Sequence, residues 1–327
     1  MKQKKITGGK RRRGSFKNNK KNKPLISVIT VVLNNQKYLT KSINSVLKQS
    51  YKNFELIIID GGSTDGTLEI LRKNNKKNEP LISVIMVCFN SQKYLAKSIN
   101  SVLKQSYKSF ELIIIDGGST DNTLKILKKN TNKIDFWISE KDRSLFDAMN
   151  KGIKLSRGSI ISILNSDDVY YINALKTAAK YFKKYQKIDF LFGGVIKHKL
   201  IHGYKPHSLR FNIYWSFGFY TAHSIGFFIR KKSQMKAGLY KIKYKTSSDY
   251  DLFYRLIVKY KMTGVAKKKN EIFGKFRRGG ISSKLSNNTF LQEIYKVRVD
   301  NGQNKIFVLF LLFLKYLRFN LRKFLKL

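Results

Sequence analysis

One cysteine, Cys88, stands among 327 residues. No disulfide can form within the chain, and a reducing compartment is the simplest setting. Acids are scarce too: 20 Asp and Glu face 66 Lys and Arg, a formal net charge of +46. Such a field draws polyanions, whether nucleic acid, anionic lipid headgroups or diphosphates, without choosing among them. No uncharged apolar run approaches the about 20 residues of a membrane span, and no apolar signal-peptide core follows the basic start. The expected location is therefore cytoplasmic. Gly-x-Gly-x-x-Gly follows neither candidate first strand, which argues against a dehydrogenase, and Gly-Lys-Ser/Thr is missing, which argues against a P-loop NTPase. No helix-turn-helix, zinc or RNP-like signature is present, so nucleic acid is expected to bind only nonspecifically.

What is present is globular in composition, with 42% apolar and 13% aromatic residues, and it is organised by a repeat. Pro24–Asn74 recurs as Pro80–Asn130 at an offset of 56, with nine differences over 51 positions. Each copy reads strand, helix, strand, helix. In the second, Leu81–Phe89 and Phe110–Ile115 are β-branched apolar runs suited to strands buried on both faces. Tyr94–Gln105 carries apolar residues at helical spacing, and Thr123–Lys129 begins another helix with Ser119 or Thr120 available as its cap. Strands at 136–138, 159–164 and 190–196 alternate with helices at 145–155 and 173–184. The expected fold class is α/β: a doubly wound, mixed but mostly parallel sheet with an extra N-terminal βαβα unit and a C-terminal amphipathic helix. The expected segments are a basic disordered tail (1–23), the duplicated segment (24–79), a main domain (80–300) and the terminal helix (305–327).

Two acidic clusters fall at carboxyl ends of these strands: Asp116 after Ile115, and Asp167-Asp168 after Leu164. Adjacent carboxylates at a strand end must be solvated, hydrogen-bonded or metal-bound. Their hard oxygens suit Mg²⁺ or Mn²⁺ bridging a diphosphate. Asn165-Ser-Asp-Asp168 is also good turn chemistry. A third cluster, Ser247-Ser-Asp-Tyr-Asp251, opens a helix expected over 252–259, where Ser248 or Asp249 could serve simply as its cap.

Ile82–Asn90, Tyr94-Leu95, Glu111–Thr123 and Leu164–Asp168, taken in order, resemble family 2 glycosyltransferases of the GT-A fold. Trp137-Ile-Ser-Glu140 with Phe146–Gly152 is similar to the subgroup that includes colanic-acid-type exopolysaccharide transferases. The resemblance runs from about residue 80 to about 285, and separately over 24–74. It implies a nucleoside-diphosphate sugar as donor, UDP-linked; Asp116 would contact uracil or ribose, with Asn90 beside it. Asp167 would lie against ribose and diphosphate, and Asp168 would bind Mn²⁺ or Mg²⁺ with help from Asp167. Asp147 and Asn150 would face the donor, and Asp249 would be the general base of an inverting transfer to a glycan or lipid-linked acceptor. Arg277 and Arg278, beside Gly279-Gly280, read as a loop that clamps the diphosphate. Three departures stand out: Gly117 and Asn165 occupy places where an acid is common, and Ser144 one where glycine is usual.

Beyond 305 the pattern changes. Ile306–Leu314 is wholly apolar, after which Lys315, Arg318, Arg322, Lys323 and Lys326 interleave with aromatic and aliphatic residues. A helix of that kind suits an anionic membrane surface, making the protein peripheral there. The metal and base motifs occur once, so one active centre is expected, built from the second copy with Asp60 of the first idle. The rival reading is an inactive transferase fold serving as a basic polyanion-binding module.

Overall fold

The computed structural model describes residues 6–8, 26–51, 54–74, 79–197, 200–202, 224–266, 271–277 and 287–324. The chain divides into two compact units, Gly8–Glu79 and Pro80–Leu327 with Met1–Thr7. Ile6–Gly8, expected within a disordered tail, instead forms β1 at the edge of the main sheet. Two of its three residues are β-branched, and an edge position asks only for backbone pairing on one side.

The smaller unit holds the first copy: β2 (Ile26–Val32), α1 (Gln36–Leu47), β3 (Phe54–Asp60) and α2 (Thr67–Asn74). β2 and β3 pair in parallel from Ile26 opposite Phe54 to Val32 opposite Asp60. One face packs Val32 with Leu39 and Ile43 of α1. The other is bare: Ile29 is 62%, Val31 71%, Ile57 40% and Ile59 51% exposed.

The larger unit begins with the same order: β4 (Ile82–Cys88), α3 (Leu95–Leu103), β5 (Phe110–Asp116) and α4 (Thr123–Lys129). β6 (Phe136–Ser139), α5 (Leu145–Leu155), β7 (Ile160–Asn165), β8 (Val169–Tyr170) and α6 (Ala174–Lys184) follow. Then come β9 (Phe190–Phe192), β10 (Gly194–Lys197), β11 (Leu200–His202), β12 (Phe227–Arg230) and α7 (Lys231–Ala237). The described chain closes with α8 (Ser248–Tyr254), β13 (Gly264–Ala266), β14 (Ile272–Lys275), α9 (Asn287–Asp300) and α10 (Lys305–Phe324). The main sheet runs β1-β6-β5-β4-β7-β12-β9-β13, and a smaller one runs β11-β10-β14-β8. β6, β5, β4 and β7 are mutually parallel, and β12 is antiparallel to both its neighbours. The α/β class and the mostly parallel mixed sheet are thus as expected.

Successive residues of β4 alternate between two cores, as a doubly covered strand requires. Val84 and Met86 join Leu95, Ile99 and Ala178, while Ile85 and Val87 join Phe146, Met149 and Ile153 of α5. Gly152 lets α5 approach, since a Cβ there would stand 2.2 Å from Ile85 Cγ2. The strand expected over 190–196 is broken at Gly193, where a Cβ would meet the Phe273 ring at 1.7 Å. The chain passes there from the main sheet to the smaller one. The helix expected over 252–259 begins earlier, at Ser248, and turns into a π-helical segment at Arg255–Lys259.

Equivalent positions of the two copies therefore differ in burial, and substitutions should show it. Ile113→Asp would bury a carboxylate without a partner and should unfold the larger unit. Ile57→Asp, its counterpart on the bare face, should change that unit's stability by less than about 0.5 kcal/mol. Thermal melting of the full chain followed by circular dichroism distinguishes the two.

Candidate active site

Strand register brings four chain ends to one edge: Cys88 pairs with Asp116, Asp116 with Ser139, and Val87 with Asn165. Ligands gather at such carboxyl ends in open α/β sheets. The loops leaving β4 and β5 are tied together there. Asn90 sits at φ 47°; its Oδ1 accepts from Thr120 N at 2.9 Å and its N–H donates to Ser119 Oγ at 2.7 Å. Ser91 N donates to Thr123 Oγ1 at 2.7 Å and Gln92 N to Asp121 Oδ2 at 3.0 Å. The helix cap expected from Ser119 or Thr120 is therefore supplied otherwise, by Asp121, which accepts from Thr123 N at 2.9 Å.

Asp116 is fully buried. Its carboxylate accepts from Ser119 N at 3.0 Å, Ser119 Oγ at 2.5 Å and Ser139 Oγ at 2.6 Å. Both oxygens of Asp116 thus fix the loop that follows β5 to the end of β6.

The two residues expected to face the donor from α5 are also engaged within the chain. Asp147 pairs with Arg143 at 2.8 Å, and that guanidinium holds its carboxyl below the ordinary range. The Asn150 amide donates to Tyr240 O at 2.8 Å and accepts from Tyr240 N at 2.9 Å. An amide with both ends occupied by one backbone pins the 240 segment to α5, where Tyr240 also stacks on Phe146 at 5.6 Å.

A neighbouring cluster escaped the sequence reading. Lys151 lies 2.5 Å from Asp142 and 3.0 Å from Glu140. Burial lifts the Asp142 carboxyl above its usual range. A Cβ added at Gly117 would stand 3.4 Å from Asp142 Oδ2. The acid that the sequence lacks at 117 thus has a carboxylate beside that position, brought from the β6–α5 connection. Its only signal in sequence was adjacency to the Trp137–Glu140 motif.

Asp167, Asp168 and Arg277 do come together. Asp168 is fully buried, and its Oδ1 accepts from Arg277 N at 3.0 Å. Burial foremost, with the charge of Asp167 adding to it, pushes the Asp168 carboxyl up to about 7. Arg277 Nη1 stands 4.0 Å from Asp167 Oδ2, and its guanidinium lies 3.5 Å from the centre of the Tyr94 ring. Ser91 Oγ meets Ser166 Oγ at 2.7 Å, which ties this turn to the β4 loop. Arg278 lies outside the described residues.

At α8 the two acids part company. Asp251 is fully buried between Arg255 at 2.8 Å and Lys241 at 3.0 Å, a structural ion pair. Asp249 is an exposed residue, and desolvation of its carboxyl by the protein around it raises it to about 6. It caps nothing beyond its neighbour Tyr250 N, at 2.7 Å. Ser247 is the residue preceding α8. The turn before it is held instead by Glu293 of α9, which accepts from the backbone N–H groups of Lys245, Thr246 and Ser247 at 2.7, 3.0 and 3.0 Å. Glu293 was invisible in sequence because it acts across 46 residues.

Comparison with known proteins bears on this edge. The model for glycosyl transferase family 2 matches residues 27–82 and 83–245. The chain belongs to glycosyl transferase family 2. It is similar to the UDP-Glc:alpha-D-GlcNAc-diphosphoundecaprenol beta-1,3-glucosyltransferase WfgD of Escherichia coli, 34% identical over 114 residues, which span 35% of this chain and 45% of that one. A PGL/p-HBAD biosynthesis glycosyltransferase of Mycobacterium bovis is 25% identical over 66% of this chain and 84% of its own length. In fold, the chain resembles S. aureus TarS 1-349 crystallised with UDP-GlcNAc, with a TM-score of 0.54, 19% identity and 69% of each chain covered. This is the GT-A-like architecture, and the protein is a transferase enzyme.

In this family 2 glycosyltransferase the first copy repeats the loop geometry. Asp60 accepts from Ser63 Oγ at 2.6 Å, and Thr64 N donates to Asn34 Oδ1 at 2.9 Å. Among the described residues, no third strand adjoins β3 to supply a counterpart of Ser139. Asp60→Ala should therefore leave donor turnover within about twofold, whereas Asp116→Ala, which frees the loop, should lower it about 100-fold. Steady-state assays of the two variants provide the measurement.

Proposed function

We propose that the chain is an inverting glycosyltransferase that moves a sugar from a nucleoside-diphosphate sugar, with UDP as the nucleotide, to a hydroxyl of a glycan or lipid-linked acceptor. The observation that carries this reading is a division of labour among acids. Asp167 and Asp168 form a recessed pair under Arg277, while Asp249 keeps a solvent-open carboxylate with no cationic partner in its described hydrogen bonds. The names of the relatives support the donor class: the E. coli enzyme is named for UDP-Glc and a lipid diphosphate, and TarS was crystallised with UDP-GlcNAc.

The residues at β7 fit a hard divalent cation. Asp168 and Asp167 offer only oxygen, and Asn165 Oδ1 beside them is buried with no hydrogen-bond partner. Asp168, helped by Asp167, would hold Mn²⁺ or Mg²⁺. When bound, the ion supplies positive charge against the leaving diphosphate.

The chain's own residues account for the remaining work. Arg277, braced on Tyr94, places a cation where a diphosphate would lie over the Asp167-Asp168 turn. Asn90, Asp116 and Asp142 shape the nucleoside end of the site. Asp249 takes the proton of the acceptor hydroxyl as its oxygen attacks the anomeric carbon. The bond from that carbon to the diphosphate oxygen breaks on the opposite side, the nucleoside diphosphate departs, and the configuration inverts. One base suffices; no carboxylate nucleophile is needed.

Asp249 must be ionised to accept a proton. The value of kcat/KM should accordingly fall as pH drops through about 6, and Asp249→Asn should lose about 10²–10⁴-fold in kcat with little change in donor binding. A UDP-sugar transfer assay across pH tests this; activity retained in the amide variant would rule Asp249 out as the base. Chelation of divalent ions should abolish turnover, Mn²⁺ should restore it, and Asp168→Ala should block the restoration. Isothermal calorimetry with Mn²⁺ and UDP provides a reading independent of turnover.

A further inference from the structure

We propose that α10, docked on α9, is a seat for an anionic lipid bilayer and that it orients the acceptor side of the site toward that surface. Among the described residues α10 buries Val308 and Leu311 and packs on α9. Its opposite side is uncovered. Ile306 is 77% exposed, Leu309 50%, Phe310 53%, Phe313 56%, Leu314 44% and Leu317 40%. Their spacing of three, one, three, one and three residues puts all six on a single stripe of the helix. A groove of about 610 Å³ adjoins the stripe, lined by Leu309, Phe313 and Tyr316 of α10 with Tyr295 and Lys296 of α9.

Charge selects the occupant. Lys305 and Lys315 lie on the helix, Arg318, Arg322, Lys323 and Lys326 follow in sequence, and no acidic residue comes after Asp300. A second copy of α10 would bring another wholly cationic helix against this one, in a chain whose net charge is already +46. Anionic headgroups satisfy the cations while acyl chains cover the stripe, which is the arrangement of an interfacial helix. No helix among the described residues is long and apolar enough to cross a membrane, so α10 lies in the surface.

The seat is mechanically joined to the proposed base. α9 packs against both α8 and α10. From α9, Glu293 holds the turn before Asp249 and Arg298 Nε donates to Tyr250 Oη at 2.8 Å; Asn301, just past its end, donates to Asp251 at 2.8 Å. The orienting role rests on the transferase reading above; the lipid seat itself does not.

The test is co-sedimentation of the full chain with vesicles of phosphatidylcholine alone or mixed with phosphatidylglycerol, at low and high salt. Partitioning should favour the anionic vesicles by about tenfold or more and weaken at high salt. Phe310→Asp with Phe313→Asp should abolish it, while circular dichroism and UDP-sugar hydrolysis without vesicles stay unchanged. Arg322→Glu with Lys323→Glu should reduce anionic binding and leave residual neutral binding untouched. Equal binding to neutral vesicles, or full binding by the Phe variants, overturns the seat. So does a dimer, seen by light scattering, that the Phe variants dissociate, because α10 would then face a second copy. Vesicle binding without any hydrolysis would instead remove the transferase reading and leave the seat standing.

Discussion

A parallel strand pair of apolar, β-branched residues needs cover on both faces, and this constraint decides how the two copies fare. The chain carries two near-identical pairs but, among the described residues, one helix α5 to close the second face. α5 lies on β4 and β5. There it buries Ile85, Val87, Ile113 and Ile115, whose counterparts in the first copy remain exposed at 62, 71, 40 and 51%. Each such side chain is worth roughly 1.5–3 kcal/mol when fully buried. The larger unit gains that stabilisation and the smaller one forgoes much of it.

The same cover converts loops into a site. Both copies fold their Asp-Gly-Gly-Ser-Thr-Asp turns alike, with an aspartate holding a serine and an asparagine holding a threonine N–H. That network is local and follows from the sequence each copy repeats. What only the second copy obtains is company: Ser139 from β6, Ser166 from the β7 turn, and Asp142 from the connection into α5. Buried differences between the copies agree. Met86 and Ser91 fit their surroundings, the latter through Ser166, whereas Asn35 at the position of Ser91 leaves its Oδ1 buried without a partner.

In a chain this basic, each retained acid does something specific. Glu111 ties Ser83 and Arg157 below the sheet, Asp251 neutralises Arg255 and Lys241, and Glu293 organises a turn. These are structural, with charges or N–H groups committed to neighbours. The pair at Asp167 and Asp168 and the carboxylate of Asp249 are different: desolvation by surrounding protein raises all three, and among the described residues no cationic side chain pairs with Asp168 or Asp249. Carboxylates left at such cost mark where ligand charge or a transferred proton belongs.

The sequence by itself determined the elements whose signal is local: the repeat, the apolar runs of β4 and β5, the helices at 145–155 and beyond 305, and the acids placed at strand ends. It also carried the family, through motifs in order. It left open what depends on distant partners. The partners that Asn150 finds in Tyr240 and Asp116 in Ser139 were not legible, and Gly193 split an apparently continuous strand because Phe273 packs where its side chain would be. Periodicity reports which face is apolar, but not which backbone a polar group will find. That choice, together with the selection of the second copy over the first, was made by the tertiary structure, because a single set of covering elements can complete only one of two equivalent sheets.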